Sequence, residues 1–196
     1  VVILTIAFGF VARFVAGAIW GPDPQSLESP IANEYFRISD VVIGVPEIWI
    51  ILVTMVLTTV LFLFFARTKL GVAMQAASQN QMAAYYMGIP VRRVNSMIWA
   101  LSGIVAAIAG ILFASKNAID PSTGLLGIKA FAAAVIGGLG SLPGALLGGL
   151  LIGLIEPFAS RYLEGDIARI MPYLVLVLVL VFRPHGILSQ VQKKKV

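Results

Sequence analysis

The sequence predicts an all-α, polytopic integral membrane protein with about four full transmembrane helices and a glycine-rich broken or re-entrant helix pair. Hydrophobic residues make up 59% of the 196 positions and charged residues only 12%, a composition that a soluble globular surface cannot carry. Several apolar runs approach the ~20 residues that a helix needs to cross a bilayer. A dense series of glycines interrupts one of these runs, which predicts a break in that helix.

The basic residues indicate membrane topology and not nucleic-acid binding. The net charge is +5, but the Lys and Arg residues lie at the ends of apolar runs, with Lys193, Lys194 and Lys195 at the terminus. Short loops rich in Lys and Arg stay on the cytoplasmic side, and such residues also contact lipid headgroups. We therefore expect membrane lipid, and no nucleic acid, among the partners.

No pattern in the sequence indicates a catalytic or metal site. There is no Cys, and His185 is the only His, so the usual sets of metal ligands and thiol nucleophiles are missing. The chain also lacks G-x-x-x-x-G-K-[ST], the loop that cradles nucleotide phosphates. We expect no catalytic residue, no metal and no cofactor bound by this chain itself.

The first predicted span runs from Val1 to Trp20 and contains one charge, Arg13, which at membrane depth should face protein or water. The chain opens inside this apolar run without Met or a basic segment. We therefore expect the C-terminal portion of a longer protein, with residues 1–196 forming one transmembrane domain. The acidic, proline-containing loop Gly21 to Glu47 should lie outside, and Trp49 to Ala66 should cross inward.

The longest polar interval, residues 67–96, orients the other segments and is called the elbow here. It carries four basic residues and no acidic one: Arg67, Lys69, Arg92 and Arg93. This charge pattern predicts a cytoplasmic position. Val72 to Met87 should form one helix, since no Pro or Gly interrupts it. Gly88 should cap that helix, and Pro90 should open the next one.

After the elbow, Ser96 to Ser115 should cross outward, and Lys116 to Lys129 should form a short loop. Lys129 to Glu156 then predicts two half-helices that enter from outside and return there. One crossing would invert the basic tail, and an unbroken helix of ~42 Å would overshoot the ~30 Å core, whereas halves of ~14 residues reach ~21 Å each. We expect the turn at Gly140 to Gly144.

The remaining segments follow from this hairpin. The loop Pro157 to Asp166 should lie outside, and Ile167 to Phe182 should make the final inward crossing. Two interpretations of the repeated glycines stay open and are compatible, namely close packing of helices and a substrate path beside discontinuous helices. The candidate substrate-path residues are Gly137, Gly138, Gly140, Gly144 and Gly148.

Motifs in three segments, the elbow, residues 126–156 and residues 182–188, carry a resemblance to a known family. The pattern A-A-x-x-x-G in residues 82–88, MAAYYMG, resembles the cytoplasmic "EAA" loop of bacterial ABC importer permeases, with Met82 where that family has an acidic residue. With MGIPVRR, LGIKAFAAAVIGGLGSLPGALLGGLLIGLIE and FRPHGIL in the same order, the chain is similar to the branched-chain amino acid permeases of ABC importers. Its turn residues, GSLPG, suit the H-type permease subunit.

The resemblance implies a multi-pass permease subunit in a bacterial or archaeal plasma membrane, with its C-terminus in the cytoplasm. It also implies a second related permease, two cytoplasmic ATP-binding subunits and an extracytoplasmic substrate-binding protein as partners. ATP would be bound and hydrolysed on the partner subunits, so the chain itself would be no enzyme. The cargo would be leucine, isoleucine or valine. The residues that the motif assigns to ATPase coupling are Ala83, Ala84, Gly88, Pro90 and Arg92.

Other functions remain open at this point. Permeases for urea, short amides or sugars belong to the same wider family, so the cargo could be another small polar solute. A secondary transporter or channel would need intramembrane ionisable groups, of which Arg13 is the clear instance. A membrane scaffold without transport would explain the glycines by packing, but it would leave the elbow without a purpose.

Overall fold

The structure, a computed structural model, describes residues 2–26, 35–38, 41–163 and 165–188. Within these ranges the chain forms α-helices, one 3-10 helix and two short strands. In chain order they are α1 (Val2–Trp20), β1 (Tyr35–Ile38), β2 (Val41–Gly44), α2 (Val45–Arg67), α3 (Lys69–Gln79), α4 (Gln81–Tyr86), α5 (Val91–Ala114), a 3-10 helix (Pro121–Leu125), α6 (Leu126–Gly137), α7 (Leu142–Tyr162) and α8 (Gly165–Phe182).

Four helices of the described residues are long and apolar enough to cross a membrane, which confirms the predicted fold class. They lie in α1, α2, α5 and α7. The prediction counted the last apolar run, Ile167 to Phe182, in place of α7; that run lies within α8, which contains the apolar helix Ile170–Phe182. The predicted loop Pro157 to Asp166 was wrong, because α7 continues through Pro157 to Tyr162. Proline removes one helical hydrogen bond, a loss that neighbouring helices compensate in transmembrane segments.

The two strands are a feature that the sequence analysis did not predict. β1 and β2 pair antiparallel, with Tyr35 opposite Gly44 and Ile38 opposite Val41. The strand residues are mostly β-branched or aromatic, which favours this pairing, whereas the prediction gave more weight to the prolines around them. β2 leads directly into α2, whose first turn contains Pro46.

The described residues divide into two units, residues 17–120 and residues 2–16 with 121–188. In the first unit, α3, α4 and α5 pack around Met74, Ala77, Ala84 and Val94. Two loops meet at one end of this unit. The backbones of Gln25 and Ile119 exchange hydrogen bonds of 2.8 Å, and Lys116 Nζ lies 2.8 Å from Glu47 Oε1. These two contacts agree with the prediction that both loops lie on one side of the membrane.

The second unit is built on a helical hairpin. α6 and α7 pack against each other, and α8 packs against both. Its core consists of Ala132, Ala133, Ile136 and Ile152, and residues of α8 pack against that core. The predicted break between two helices is confirmed, but equal halves of ~14 residues were wrong, because α6 has 12 residues and α7 has 21.

Candidate functional site

The glycines of the hairpin bring the backbones of α6 and α7 into direct contact. A Cβ atom on Gly137 would overlap the backbone of Gly144, and one on Gly144 would overlap Gly137 O. A Cβ on Gly148 would overlap Ala133 O. Small residues let helices approach this closely in a membrane, where packing and not water drives their association. Three of the predicted substrate-path glycines therefore lie in the contact between the two helices.

Other glycines of the same segment face open space. No atom lies within 4 Å of a Cβ built on Gly140, Gly149 or Gly153, and all three residues are exposed. Gly149 and Gly153 are one helical turn apart, so they share a face of α7 that the facing helix does not cover. Of the predicted set, Gly140 is exposed and Gly138 is buried at the turn.

The turn between α6 and α7 is determined by its own residues. Gly138 and Gly140 have φ angles of 107° and 91°, values that an L side chain rarely adopts. Ser141 caps α7, because its Oγ accepts a hydrogen bond of 3.1 Å from Gly144 N, and Pro143 follows in the first turn. This is the usual chemistry of a helix start. The turn thus covers residues 138–141 and includes the first two residues of the predicted range, Gly140 to Gly144, whereas the other three belong to α7.

The segment after α8 closes the end of α6. Ile187 N donates to Ile136 O at 2.9 Å, and Leu188 N donates to Gly137 O at 3.0 Å. A helix end leaves its last carbonyl groups without partners, so these two bonds satisfy α6 where it stops. Gly186 is buried and has a φ of 82°, and a Cβ there would overlap the backbone of Gly138.

This contact also locates the closed end of the hairpin. The turn lies beside the C-terminal end of α8, and not halfway along it, because the bonds join Gly137 to a residue six positions after Phe182. With 21 residues, α7 is ~31 Å long. α7 is therefore longer than the predicted half-helix of ~21 Å.

An ion pair joins the two helices toward the open end of the hairpin. Lys129 Nζ on α6 contacts Glu156 Oε1 on α7, and the side chains are 28% and 33% exposed. Another ion pair within the described residues joins Lys116 and Glu47. The sequence analysis used Lys129 and Glu156 as segment boundaries and did not predict their contact.

In the elbow, the predicted single helix Val72 to Met87 was wrong, because Asn80 divides it into α3 and α4. Asn80 has extended backbone angles, and its Oδ1 accepts a hydrogen bond of 3.0 Å from Ala83 N. Asn competes for backbone donors in this way, which makes it a helix start and not a helix interior. Thr68 acts similarly at the other end, where its Oγ1 accepts from Gly71 N at 2.9 Å.

The predicted cap at Gly88 is confirmed. Its φ is 82°, Gly88 N donates to Tyr85 O at 2.9 Å, and Ile89 N donates to Ala84 O at 3.0 Å. These two bonds form a Schellman motif, in which a residue of positive φ ends a helix. Pro90 follows as the residue before α5.

The predicted coupling residues lie together around this turn, with different exposure. Ala84 is 4% exposed and belongs to the core of the unit, whereas the others are exposed. A patch of larger side chains surrounds them and was not predicted as functional. Its members are exposed by 63% to 83% of their surface and are called the α4 patch here: Met82, Tyr85, Tyr86 and Met87. A signal for it in the sequence was two adjacent tyrosines inside a polar interval.

Within the described ranges, no group of three or more His, Cys, Asp or Glu residues could hold a metal ion. The coupling residues and the hairpin glycines belong to different units of the fold. The chain thus presents two separate candidate sites. One is the α4 patch with its glycine turn, and the other is the α6–α7 hairpin with its ion pair.

Comparisons with known proteins assign this architecture to a family. A family model described as "Branched-chain amino acid transport system / permease component" matches residues 1–180. The chain is 38% identical over 158 residues to the high-affinity branched-chain amino acid transport system permease protein BraD of Pseudomonas aeruginosa, covering 80% of this chain and 52% of that protein. It is 36% identical over 151 residues to LivH of Escherichia coli K12, a permease protein of the same description, covering 76% and 48%.

An archaeal relative, the probable branched-chain amino acid transport permease protein LivH of Methanocaldococcus jannaschii, is 34% identical over 142 residues, covering 68% of this chain and 45% of that protein. The chain thus spans about half the length of the curated relatives that it matches. No solved structure matches it. From the family match and the apolar helices, the chain is part of a multi-pass membrane protein and belongs to the permease-component family of branched-chain amino acid transport systems.

Proposed function

We propose that the chain forms the C-terminal portion of a permease subunit in an ATP-driven ABC importer of leucine, isoleucine and valine. The observation that carries this proposal is the family match over residues 1–180. The names of BraD and LivH, high-affinity branched-chain amino acid transport permeases, support the same cargo. The described helices and the two candidate sites are compatible with such a subunit.

Partner subunits are part of this proposal. A permease component works in a larger transport system, and we expect a second related permease, two cytoplasmic ATP-binding subunits and an extracytoplasmic substrate-binding protein. ATP would bind to the partner subunits, because this sequence has no phosphate-binding loop. The protein would lie in the plasma membrane with the elbow and the C-terminus in the cytoplasm, as the excess of Lys and Arg there indicates.

The α4 patch is the surface that we assign to ATPase coupling. Ala83, Gly88, Pro90 and Arg92 are exposed beside it, and the rings of Tyr85 and Tyr86 stand edge to face, 6.1 Å apart. Aromatic and Met side chains are enriched in protein interfaces, and exposed ones beside a cytoplasmic turn indicate a protein partner. The buried Ala84 would contribute to coupling indirectly, because it packs the α4 patch onto the core of its unit.

The substrate path would run along the hairpin. Apolar helices with exposed small residues suit an aliphatic amino acid better than a sugar. On α7 the open positions are Gly149 and Gly153, which we add to the predicted set. Gly137, Gly144 and Gly148 would maintain the path by keeping α6 and α7 in contact.

Co-purification and uptake test the proposal together. The full-length permease, expressed with its partner subunits and extracted in mild detergent, should retain an ATP-binding subunit. Proteoliposomes that contain this complex and the substrate-binding protein should accumulate radiolabelled leucine only when ATP is supplied. A permease that carries leucine without any ATP-binding subunit would instead be a secondary transporter or channel.

A further inference from the structure

The ion pair Lys129–Glu156 lies at membrane depth if α7 crosses the bilayer. α7 is one of the four helices long and apolar enough to do so. Glu156 lies fourteen residues after Leu142 and six before Tyr162, which places it ~21 Å from one end of the helix and ~9 Å from the other. Both charges are therefore within the span and not at its edge.

The short helix α6 does not run beside the whole length of α7. α6 is ~18 Å long and α7 is ~31 Å long. The two helices are joined at the glycine turn, so the first turn of α6 lies well short of the C-terminal end of α7. A 3-10 helix, Pro121–Leu125, precedes it at that level. Irregular backbone at membrane depth is tolerated where it is buried in protein or lines a water-filled cavity. The partial exposure of Lys129 and Glu156 agrees with their bordering such a space.

Packing alone gives no reason for two charges at this place. An ion pair removed from water loses hydration energy, and apolar residues of similar size often serve as well or better. The hairpin is already closed elsewhere by the glycine contacts around Gly144 and by the bond from Leu188 to Gly137. Ionisable residues inside a membrane usually mark a pathway for a substrate or an ion.

We propose that Lys129 and Glu156 bind the two charged ends of an amino acid during its passage, an inference that rests on the proposed function. The ammonium group of Lys129 would bind the α-carboxylate, and the carboxylate of Glu156 would bind the α-ammonium group. One ion pair is exchanged for two, so no charge is left unpaired in the membrane. A neutral solute such as a sugar or urea offers no such exchange.

The test uses the full-length complex in proteoliposomes with the substrate-binding protein and radiolabelled leucine. Two double variants separate binding from structure, the neutral Lys129→Met with Glu156→Gln, and the charge exchange Lys129→Glu with Glu156→Lys. The matched control neutralises the other ion pair, Lys116→Met with Glu47→Gln. Each variant is scored by its amount in the membrane, its thermal stability in detergent and its ATP-dependent uptake.

We expect the neutral variant to accumulate and melt like the wild type but to take up leucine about tenfold more slowly or worse, since both charge-assisted contacts are gone. The charge exchange should also be slow, because the exchanged charges would bind the amino acid in the opposite orientation. The control should transport normally. Wild-type uptake in the neutral or the exchanged variant would overturn the inference. So would failure of both variants to accumulate, which would make the pair structural. If the wild-type complex itself carries no amino acid, the proposed function fails first.

Discussion

Gly148 and Gly149 are neighbours in the sequence, yet only one of them touches the facing helix. A Cβ on Gly148 would overlap Ala133 O, whereas nothing lies within 4 Å of one on Gly149. Their backbone angles are helical in both cases, so the difference is one of position around α7 and not of conformation. This pair separates the two interpretations of the glycines, packing and substrate path.

We expect Gly148→Leu to lower both the amount of permease in the membrane and its thermal stability. The new side chain forces α6 and α7 apart, and overpacking of this kind costs ~1–3 kcal/mol or more. Gly149→Leu should leave amount and stability unchanged. If the path runs along this face, it should nevertheless slow leucine uptake, and normal uptake in Gly149→Leu would move the path elsewhere.

At Gly88, in contrast, the backbone conformation and not the space around the residue limits which side chain is tolerated. No atom lies within 4 Å of a Cβ there, but the φ angle is 82°. Gly88→Val should therefore strain the turn by ~1–2 kcal/mol and uncouple ATP hydrolysis from uptake, with membrane insertion intact. Gly88→Asn is the matched control, because Asn tolerates positive φ and should keep most coupling. ATPase activity and leucine uptake are measured in the same proteoliposome preparation. Coupled transport by Gly88→Val would refute the assignment of Gly88 to ATPase coupling.

At the scale of elements, the segment after α8 acts as a cap for α6. Two backbone donors, from Ile187 and Leu188, meet the last carbonyl groups of that helix. Gly186 permits the approach to Gly138. The motif FRPHGIL, which the sequence analysis used for the family resemblance, thus also holds the hairpin turn.

Gly186→Val should destabilise the full-length permease by several degrees in a thermal-shift assay. The valine would need a positive φ and would overlap the backbone of Gly138, so the cap on α6 would be lost. The exposed neighbour His185 provides the control, since His185→Ala removes no described contact and should melt like the wild type. Equal melting of both variants would contradict the capping role.

The elements also show what the sequence could and could not predict. The cap at Gly88 and the break after Gly137 were predictable, because positive-φ glycines and Pro143 act locally. The division of the elbow helix at Asn80 was not predictable, because Asn occurs both in helix interiors and at helix starts. Here the hydrogen bond that Asn80 Oδ1 accepts from Ala83 N makes it a helix start. The length of α7 was missed because Pro157 suggests a helix end, although a packed membrane helix can continue through it.

At the scale of the whole molecule, the sequence could predict a candidate site where its residues lie close together along the chain. The residues of the coupling turn all lie between positions 83 and 92, and a motif could find them. The ion pair Lys129–Glu156 joins residues 27 positions apart, and it depends on how two helices pack, which composition and periodicity do not specify. The family assignment depends on neither of these two sites, because it rests on similarity along residues 1–180.

Topology decides which end of the hairpin faces the cytoplasm. The bonds from Ile187 and Leu188 place the turn at the C-terminal end of α8, and the basic tail should be cytoplasmic. The turn should then face the cytoplasm, and the end of α7 should face outside. Ser189, in the basic tail, lies outside the described residues, so Leu139, which is 67% exposed at the turn, is the probe for the cytoplasmic side. Ser160, exposed near the end of α7, is the probe for the other side.

The central claim is therefore tested by cysteine labelling of the full-length permease in intact cells. The described chain has no Cys, and any cysteine in the rest of the full-length protein would be replaced first. Ser160→Cys should react with a membrane-impermeant thiol reagent before the cells are opened. Leu139→Cys should react only after the inner leaflet becomes accessible. Labelling of Leu139→Cys in intact cells, or protection of Ser160→Cys there, would contradict a hairpin that opens outside and turns at the cytoplasmic surface.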